Sequence, residues 1–406
     1  CSLQIVGSGP LHELIHCKYT APRPVGSSRV FSMHIHSEAA LFSYFCTMNA
    51  FYSLEVIEVR RETEDCVSIA LRPQASDVEK FEFKAGQYLT LNATIGGKEV
   101  RRSYSICSSP ADGELRVAVK RVENGVFSNW ANGSLEVGDS LESMTPRGNF
   151  VLETSSDATN QYAAFVAGSG ITPVLSQIRS VLMSEKGSQF TLFYVNKDTA
   201  SIIFREQLQE LKDQFMDRLS VFHLLTREPL EAELFHGRLD EDRCSRILSS
   251  NLIDIQQCHG VYLCGPEEMI WACKSALETA GVTEDSIHFE LFTSSVKAEK
   301  TEQKAVPVQS EGDSKSLAIV LDGITTMVEI KGNKTIMDAA LDIGLDAPYS
   351  CLGGVCCTCR AKMTKGKVRM DVNYALEASE TEAGFVLTCQ SHLEGEGPFE
   401  VDFDQQ

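Results

Sequence analysis

The stretch "CLGGVCCTC", residues 351–359, places four cysteines within nine positions. A soluble chain crowds thiols this way for a metal or a disulfide. Cys351, Cys356 and Cys359 obey Cys-x4-Cys-x2-Cys, and Cys389 ("LTCQ") follows 30 residues after Cys359. Adjacent Cys356 and Cys357 could scarcely pair within such a loop, which argues against disulfides. Zinc sites usually take two separate Cys-x2-Cys knuckles, and this pattern does not. Gly353 and Gly354 permit a tight wrap, because glycine accepts positive φ and has no side chain to clash.

This spacing is that of a plant-type [2Fe–2S] ferredoxin, in which three thiolates come from one loop and the fourth from a distant element. Two irons bridged by sulfides need backbone N–H groups aimed at the sulfurs. The expected ligands are Cys351, Cys356, Cys359 and Cys389, with Cys357 spare. Around them, "LAIVLDG" and "TTMVEI" read as strands. "TIMDAALDIG" reads as a helix with Ile336, Ala340 and Ile343 on one face. Residues 317–406 are therefore expected to form a β-grasp (α+β) ferredoxin domain.

Working back along the chain, residues 295–316 ("SVKAEKTEQKAVPVQSEGDSKS") lack an apolar period and read as a flexible linker. Over 156–294, apolar strands such as "YAAFVAG", "FTLFYVN" and "GVYLCG" alternate with helical segments, the sign of a parallel α/β domain. Over 51–155, short alternating runs broken by Gly, Pro, Asn and Asp suggest an antiparallel β-barrel. The expected fold is thus multidomain: barrel, α/β domain and β-grasp.

Composition agrees with several domains. The chain has 406 residues, 43% of them hydrophobic, enough for two or three cores. No apolar run approaches the length of a membrane span, so no membrane partner is expected. The net charge of −19 argues against nucleic acid, which needs clustered Lys and Arg. Fourteen cysteines without a secretory signal point to a reducing, cytoplasmic setting. Cys66, Cys107, Cys244, Cys258 and Cys273, scattered singly, read as small core residues. Residues 1–47 hold only two acids (Glu13, Glu38) and four of nine histidines. Regular alternation begins beyond Met48, so residues 1–50 are expected to be a non-native or disordered leader.

"RSYS" (Arg102, Ser103, Tyr104, Ser105), followed by "GVFS" (Gly125 to Ser128), resembles the flavin motifs of the ferredoxin–NADP reductase family. The resemblance implies that Arg102 pairs with a flavin phosphate, Tyr104 lies against the isoalloxazine and Ser105 bonds near its N5. It also implies that Gly125 and Ser128 open a helix whose N-terminus receives the pyrophosphate of FAD. "GSGITP", with Gly168, Gly170 and Thr172, follows a strand and precedes a helix, as a dinucleotide loop does. It matches the family's pyridine-nucleotide loop. "YLCGPEEM" matches the second such loop, where Cys264, Gly265 and Pro266 approach the nicotinamide. "FELF" resembles the last strand, placing Glu290 near the flavin edge. Lys197, Arg205 and Arg227 follow strand ends where a 2′-phosphate would sit, favouring NADPH over NADH.

The module order resembles the reductase components of bacterial multicomponent oxygenases, and within them "CLGGVCCTCRAKMTKGKVRMDVNYALE" (351–377) followed by "GFVLTCQSH" (384–392) most resembles the phenylacetyl-CoA epoxidase branch. Reductases of ketosteroid or aromatic-ring hydroxylases share all three modules and stand as the alternative. A non-enzymatic redox sensor is disfavoured by both nucleotide loops. The resemblance implies electron flow from NADPH to FAD to the [2Fe–2S] cluster to a di-iron oxygenase partner. Substrate chemistry would lie in that partner, so no catalytic acid or base is expected here. Residues 317–406 carry 14 acids against 7 Lys and Arg, which suits docking on a basic patch of the oxygenase.

Overall fold

The computed structural model describes residues 51–292 and 314–405. Alternating burial along β1 (Tyr52–Thr63), with Leu54 and Val56 inside, turns one face of the strand into a core. With β2 (Cys66–Pro73), β3 (Tyr88–Ile95), β4 (Lys98–Ser105), β5 (Leu115–Lys120) and β6 (Ser140–Ser143), it forms an antiparallel sheet ordered β4-β3-β6-β1-β2-β5. A bridge between Ile106 and Val117 brings the two edges together, so the sheet curls into a barrel. Helix α1 (Val126–Gly133) plugs it with Phe127 and Ala131.

The next sheet is wholly parallel. Its strands β7 (Gln161–Ala167), β8 (Gln189–Asn196), β9 (Leu219–Leu225), β10 (Cys258–Cys264) and β11 (Ile287–Glu290) are ordered β11-β10-β7-β8-β9. Helices α2 (Ile171–Ser184), α3 (Arg205–Gln214), α4 (Glu241–Leu248) and α5 (Glu267–Thr279) connect the strands. The chain order reverses between β7 and β10, so the loops after these strands flank the crevice where α/β sheets take ligands. Cys66, Cys107 and Ala118 of the barrel are buried in one apolar cluster with Ile171, Val174 and Ile178 of α2. These two domains share a core.

The third unit wraps a mixed sheet, ordered β13-β12-β18-β14-β16, around helix α6 (Ile336–Asp342). Its strands are β12 (Lys315–Leu321), β13 (Ile324–Ile330), β14 (Arg360–Lys365), β16 (Phe385–Leu387) and β18 (Phe399–Asp402). β15 (Lys367–Met370) and β17 (Ser391–Glu394) pair separately, and α7 (Ala378–Glu382) precedes β16. Ile336 and Ala340 are buried as expected, but Ile343 is 50% exposed. The helix ends at Asp342, so Ile343 lies beyond the reach of the helical period. The segment read as a linker lies outside the described residues up to 313, and β12 begins at Lys315. The leader segment, through residue 50, also lies outside them.

Candidate functional site

The cysteine loop runs between α6 and β14, and Cys389 arrives from a short turn after β16. The four thiols stand as two pairs. Cys356 hydrogen-bonds Cys351, and Cys359 hydrogen-bonds Cys389. The Cys356 contact, aided by backbone N–H groups of Gly353, Val355 and Cys356, lowers the Cys351 thiol to about 6. Gly353 N lies 3.3 Å from Cys351 Sγ. Cys359 likewise holds Cys389 down, with Gln390 Nε2 donating to its sulfur from 3.5 Å. Among the described residues no three His, Cys, Asp or Glu side chains converge as a single ion would need. Two thiol pairs, one per iron, ringed by N–H donors, fit a [2Fe–2S] cluster. Gly354 (φ +75°) completes the wrap, because a Cβ there would meet Val372 Cγ2 at 2.7 Å.

Cys357 stands apart. Its sulfur donates to Ala375 O at 3.2 Å, and burial pushes the thiol up to about 12. Its backbone N–H donates to Tyr88 Oη of the barrel at 3.1 Å. Cys357→Ala loses two weak side-chain bonds, to Ala375 O and from Asn149 Nδ2 at 4.0 Å, and keeps the backbone one, a cost of about 1 kcal/mol. Its iron content and visible spectrum should match the parent. Loss of iron in this variant would assign the ligands differently.

On the barrel, β4 sends its motif in two directions, as strand alternation requires. Arg102 and Tyr104 share one face, and the Tyr104 ring lies 5.3 Å from Phe127 at the start of α1. Arg102 is exposed and donates to Arg101 O. Gly125 caps α1, where a Cβ would meet Ser128 Oγ at 2.5 Å. Ser128 accepts from Val122 N at 3.1 Å, which holds the turn open at the helix start. An arginine, an aromatic face and an N-terminal glycine cap suit a flavin with its pyrophosphate. Ser103 belongs to the opposite face and meets Ser350 of the cysteine loop at 2.8 Å.

Gly168 (φ +54°) and Gly170 follow β7, while Cys264 ends β10 and Gly265 and Pro266 follow it. The loops touch: a Cβ on Gly170 would lie 2.2 Å from Cys264 O. A Cβ on Gly265 would meet Met269 Cε at 2.5 Å. Two glycine loops closing on a helix start form a cradle for a dinucleotide. Thr172 is buried and bonds back to Ser169 O at 3.0 Å, bracing the turn. Lys197 and Arg227 are joined by a 2.8 Å backbone bond, and Arg205 opens α3; all three are exposed. Lys120, which no sequence motif marks, lies with Nζ 3.8 Å from the Cβ position of Gly168.

Glu290 ends β11 opposite Cys264 of β10, and Ser105 Oγ donates to its Oε2 at 3.2 Å. Desolvation pushes the Glu290 carboxyl up to about 8, although the Ser105 bond acts against it. Burial first, and then Glu290, raises the Cys264 thiol well above its ordinary value. Ser105, Cys264 and Glu290 thus meet where barrel and α/β domain join. The folded chain keeps the Glu290 proton between pH 4.5 and about 8, where the unfolded chain has lost it. Stability therefore falls as pH rises through that window. Glu290→Gln removes the slope, so its melting temperature should gain on the parent by several degrees between pH 5 and 8. Parallel curves across that range would refute a protonated Glu290.

Three family models match in series. The description "Oxidoreductase FAD-binding domain" matches 53–152, "Oxidoreductase NAD-binding domain" matches 165–275, and "2Fe-2S iron-sulfur cluster binding domain" matches 319–394. The chain is 39% identical over 358 residues to a subunit of 1,2-phenylacetyl-CoA epoxidase from Escherichia coli, covering 88% of this chain and 99% of that one. It is 35% identical to the ferredoxin reductase component of 3-ketosteroid-9-alpha-monooxygenase from Mycobacterium tuberculosis, covering 87% and 96%. Phthalate dioxygenase reductase shares the fold at a TM-score of 0.52 and 23% identity, covering 87% of this chain and 97% of that one.

Proposed function

This chain belongs to the reductase components of multicomponent oxygenases, with FAD-binding, NAD-binding and [2Fe–2S] domains, and we propose that it serves a phenylacetyl-CoA 1,2-epoxidase whose oxygenase holds a di-iron centre. The preferred donor is NADPH and the setting is the reducing cytoplasm. The observation that carries the electron route is the meeting of the cysteine loop with the flavin strand. Cys357 N–H on Tyr88 of β3 and Ser350 on Ser103 of β4 support this reading, because they join the cysteine loop to the strand carrying Arg102 and Tyr104 and to its neighbour. FAD, when bound, takes electrons as a hydride pair and yields them singly, which joins a nucleotide donor to a one-electron cluster.

The chain's own groups set up that exchange. Arg102 offers a planar cation to a phosphate, and Tyr104 a face for the ring. Glu290 keeps a proton on its carboxyl beside Ser105 at neutral pH. Gly168, Gly170, Gly265 and Pro266 leave room for the nucleotide, and exposed Lys197, Arg205 and Arg227 offer positive charge to a 2′-phosphate. Cys351, Cys356, Cys359 and Cys389 would hold the irons. The excess of seven acids over basic residues in 317–406 suits a basic face on the oxygenase, so rising salt should slow electron delivery.

The test is reconstitution of the holoprotein with the oxygenase components of a phenylacetyl-CoA epoxidase and, separately, of a 3-ketosteroid monooxygenase. NADPH oxidation coupled to epoxide formation is expected in the first mixture. Coupled turnover with the ketosteroid enzyme alone would overturn the assignment.

A further inference from the structure

We propose that Arg101 is a positioning residue for electron transfer, its ion pair with Asp346 seating the cysteine loop against the flavin strand. The inference rests on the reading of the two sites as flavin and cluster. β4 presents Arg102 and Tyr104 to one side, and Arg101 and Ser103 to the other. Arg101 is only 7% exposed, yet its Nη2 reaches Asp346 Oδ1 at 2.8 Å across 245 residues. From the barrel side Phe51 (4.8 Å) stacks on its guanidinium and Glu99 Oε2 lies 3.5 Å from Nη2, while Tyr349 (5.2 Å) closes on it from the ferredoxin side together with Asp346.

Beneath the pair lies a row of small hydroxyl contacts. Ser103 meets Ser350 at 2.8 Å, Thr90 meets Thr358 at 3.3 Å, and Tyr88 meets Thr358 at 3.4 Å. Ser350 and Thr358 each adjoin a ligand cysteine, so whatever seats them also seats the thiols. The barrel and α/β domain are fused through a common apolar core, whereas these contacts to the ferredoxin domain are polar. Val355 and Tyr374 add apolar contact at the edge of the α/β core. Polar interfaces between domains of one chain are the kind that open and close. Asp346 is 78% exposed, so the pair is reached by salt. Hydroxyl bonds fix the close approach, and the charged pair chooses which approach is made.

The step in question moves one electron from the NADPH-reduced flavin to the oxidised cluster. The rate of that step depends on the fraction of molecules in which the junction is seated, so weakening the seat slows it in proportion.

The experiment is anaerobic rapid mixing of full-length holoprotein with NADPH, reading flavin and cluster absorbance separately, with small-angle scattering on the same samples. Asp346→Lys alters an exposed side chain and leaves both upstream sites untouched. It should keep the flavin phase at the parent rate and slow the cluster phase roughly tenfold, the effect of about 1.4 kcal/mol on the seated population. It should also enlarge the radius of gyration. The exchanged pair Arg101→Glu with Asp346→Lys should recover both rate and dimensions. A merely structural Arg101 would give no such rescue. An unchanged cluster phase in Asp346→Lys overturns the proposal. So does a flavin phase slowed equally, or an exchanged pair no better than the single variant.

Discussion

Cys389→Ala should strip the iron from the protein while leaving its flavin chemistry in place. The parent should carry about two irons per chain, as a plant-type cluster requires. Cys389 comes from the turn after β16, far in sequence from the other three, and pairs with Cys359. Its removal leaves Cys359 without that partner, and the sequence offers no thiol near Cys389 to replace it. Iron and cluster absorbance should fall below about a tenth of the parent values, since structural metal sites tolerate loss of a ligand poorly. NADPH-driven reduction of a small dye by the flavin should persist, because the barrel and α/β domain have their own shared core. Electron delivery to the oxygenase should be abolished. Cys356→Ala should behave alike, because Cys357 Sγ is already held on the Ala375 carbonyl. Half or more of the iron retained in Cys389→Ala would contradict this ligand set.

Gly170→Ala should be the most damaging single methyl on the nucleotide side. The backbone of Gly170 is ordinary helical (φ −60°), so strain is not the reason. The added Cβ would lie 2.2 Å from the Cys264 carbonyl oxygen and 3.2 Å from its sulfur. Cys264 is fully buried at the end of a central strand and cannot yield cheaply. The two nucleotide loops would be forced apart where the cofactor should sit. Overpacking of this kind costs about 1–3 kcal/mol in stability. A comparable loss in nucleotide binding would raise KM for NADPH by roughly tenfold or more. Flavin and iron content should stay at parent values. An unchanged KM would mean that the nucleotide does not bind between these loops.

How much of this was legible in the sequence follows from how local each signal is. Cys351, Cys356 and Cys359 share one loop, so nine residues suffice to show their spacing. The glycine loops are equally local, each tied to one strand and one helix start. The three-domain order was likewise visible as changes in apolar period. Ser103 is different. Alternation alone separates it from Arg102 and Tyr104, yet nothing nearby in sequence says that Ser350, 247 residues away, lies on that side. Arg101–Asp346 and Tyr88–Cys357 span similar separations and leave no short-range mark. Domain junctions are written in contacts without a period. Ile343 failed for a smaller reason, since the apolar pattern runs one residue past the last turn of α6.

On the proposed route one chain carries electrons from nucleotide to flavin to cluster within itself. Single-turnover mixing of the holoprotein with NADPH under anaerobic conditions tests it most directly. Flavin absorbance should fall first and cluster absorbance second, with the second rate independent of protein concentration. A cluster phase that speeds up in proportion to protein concentration, or that never appears, would contradict it.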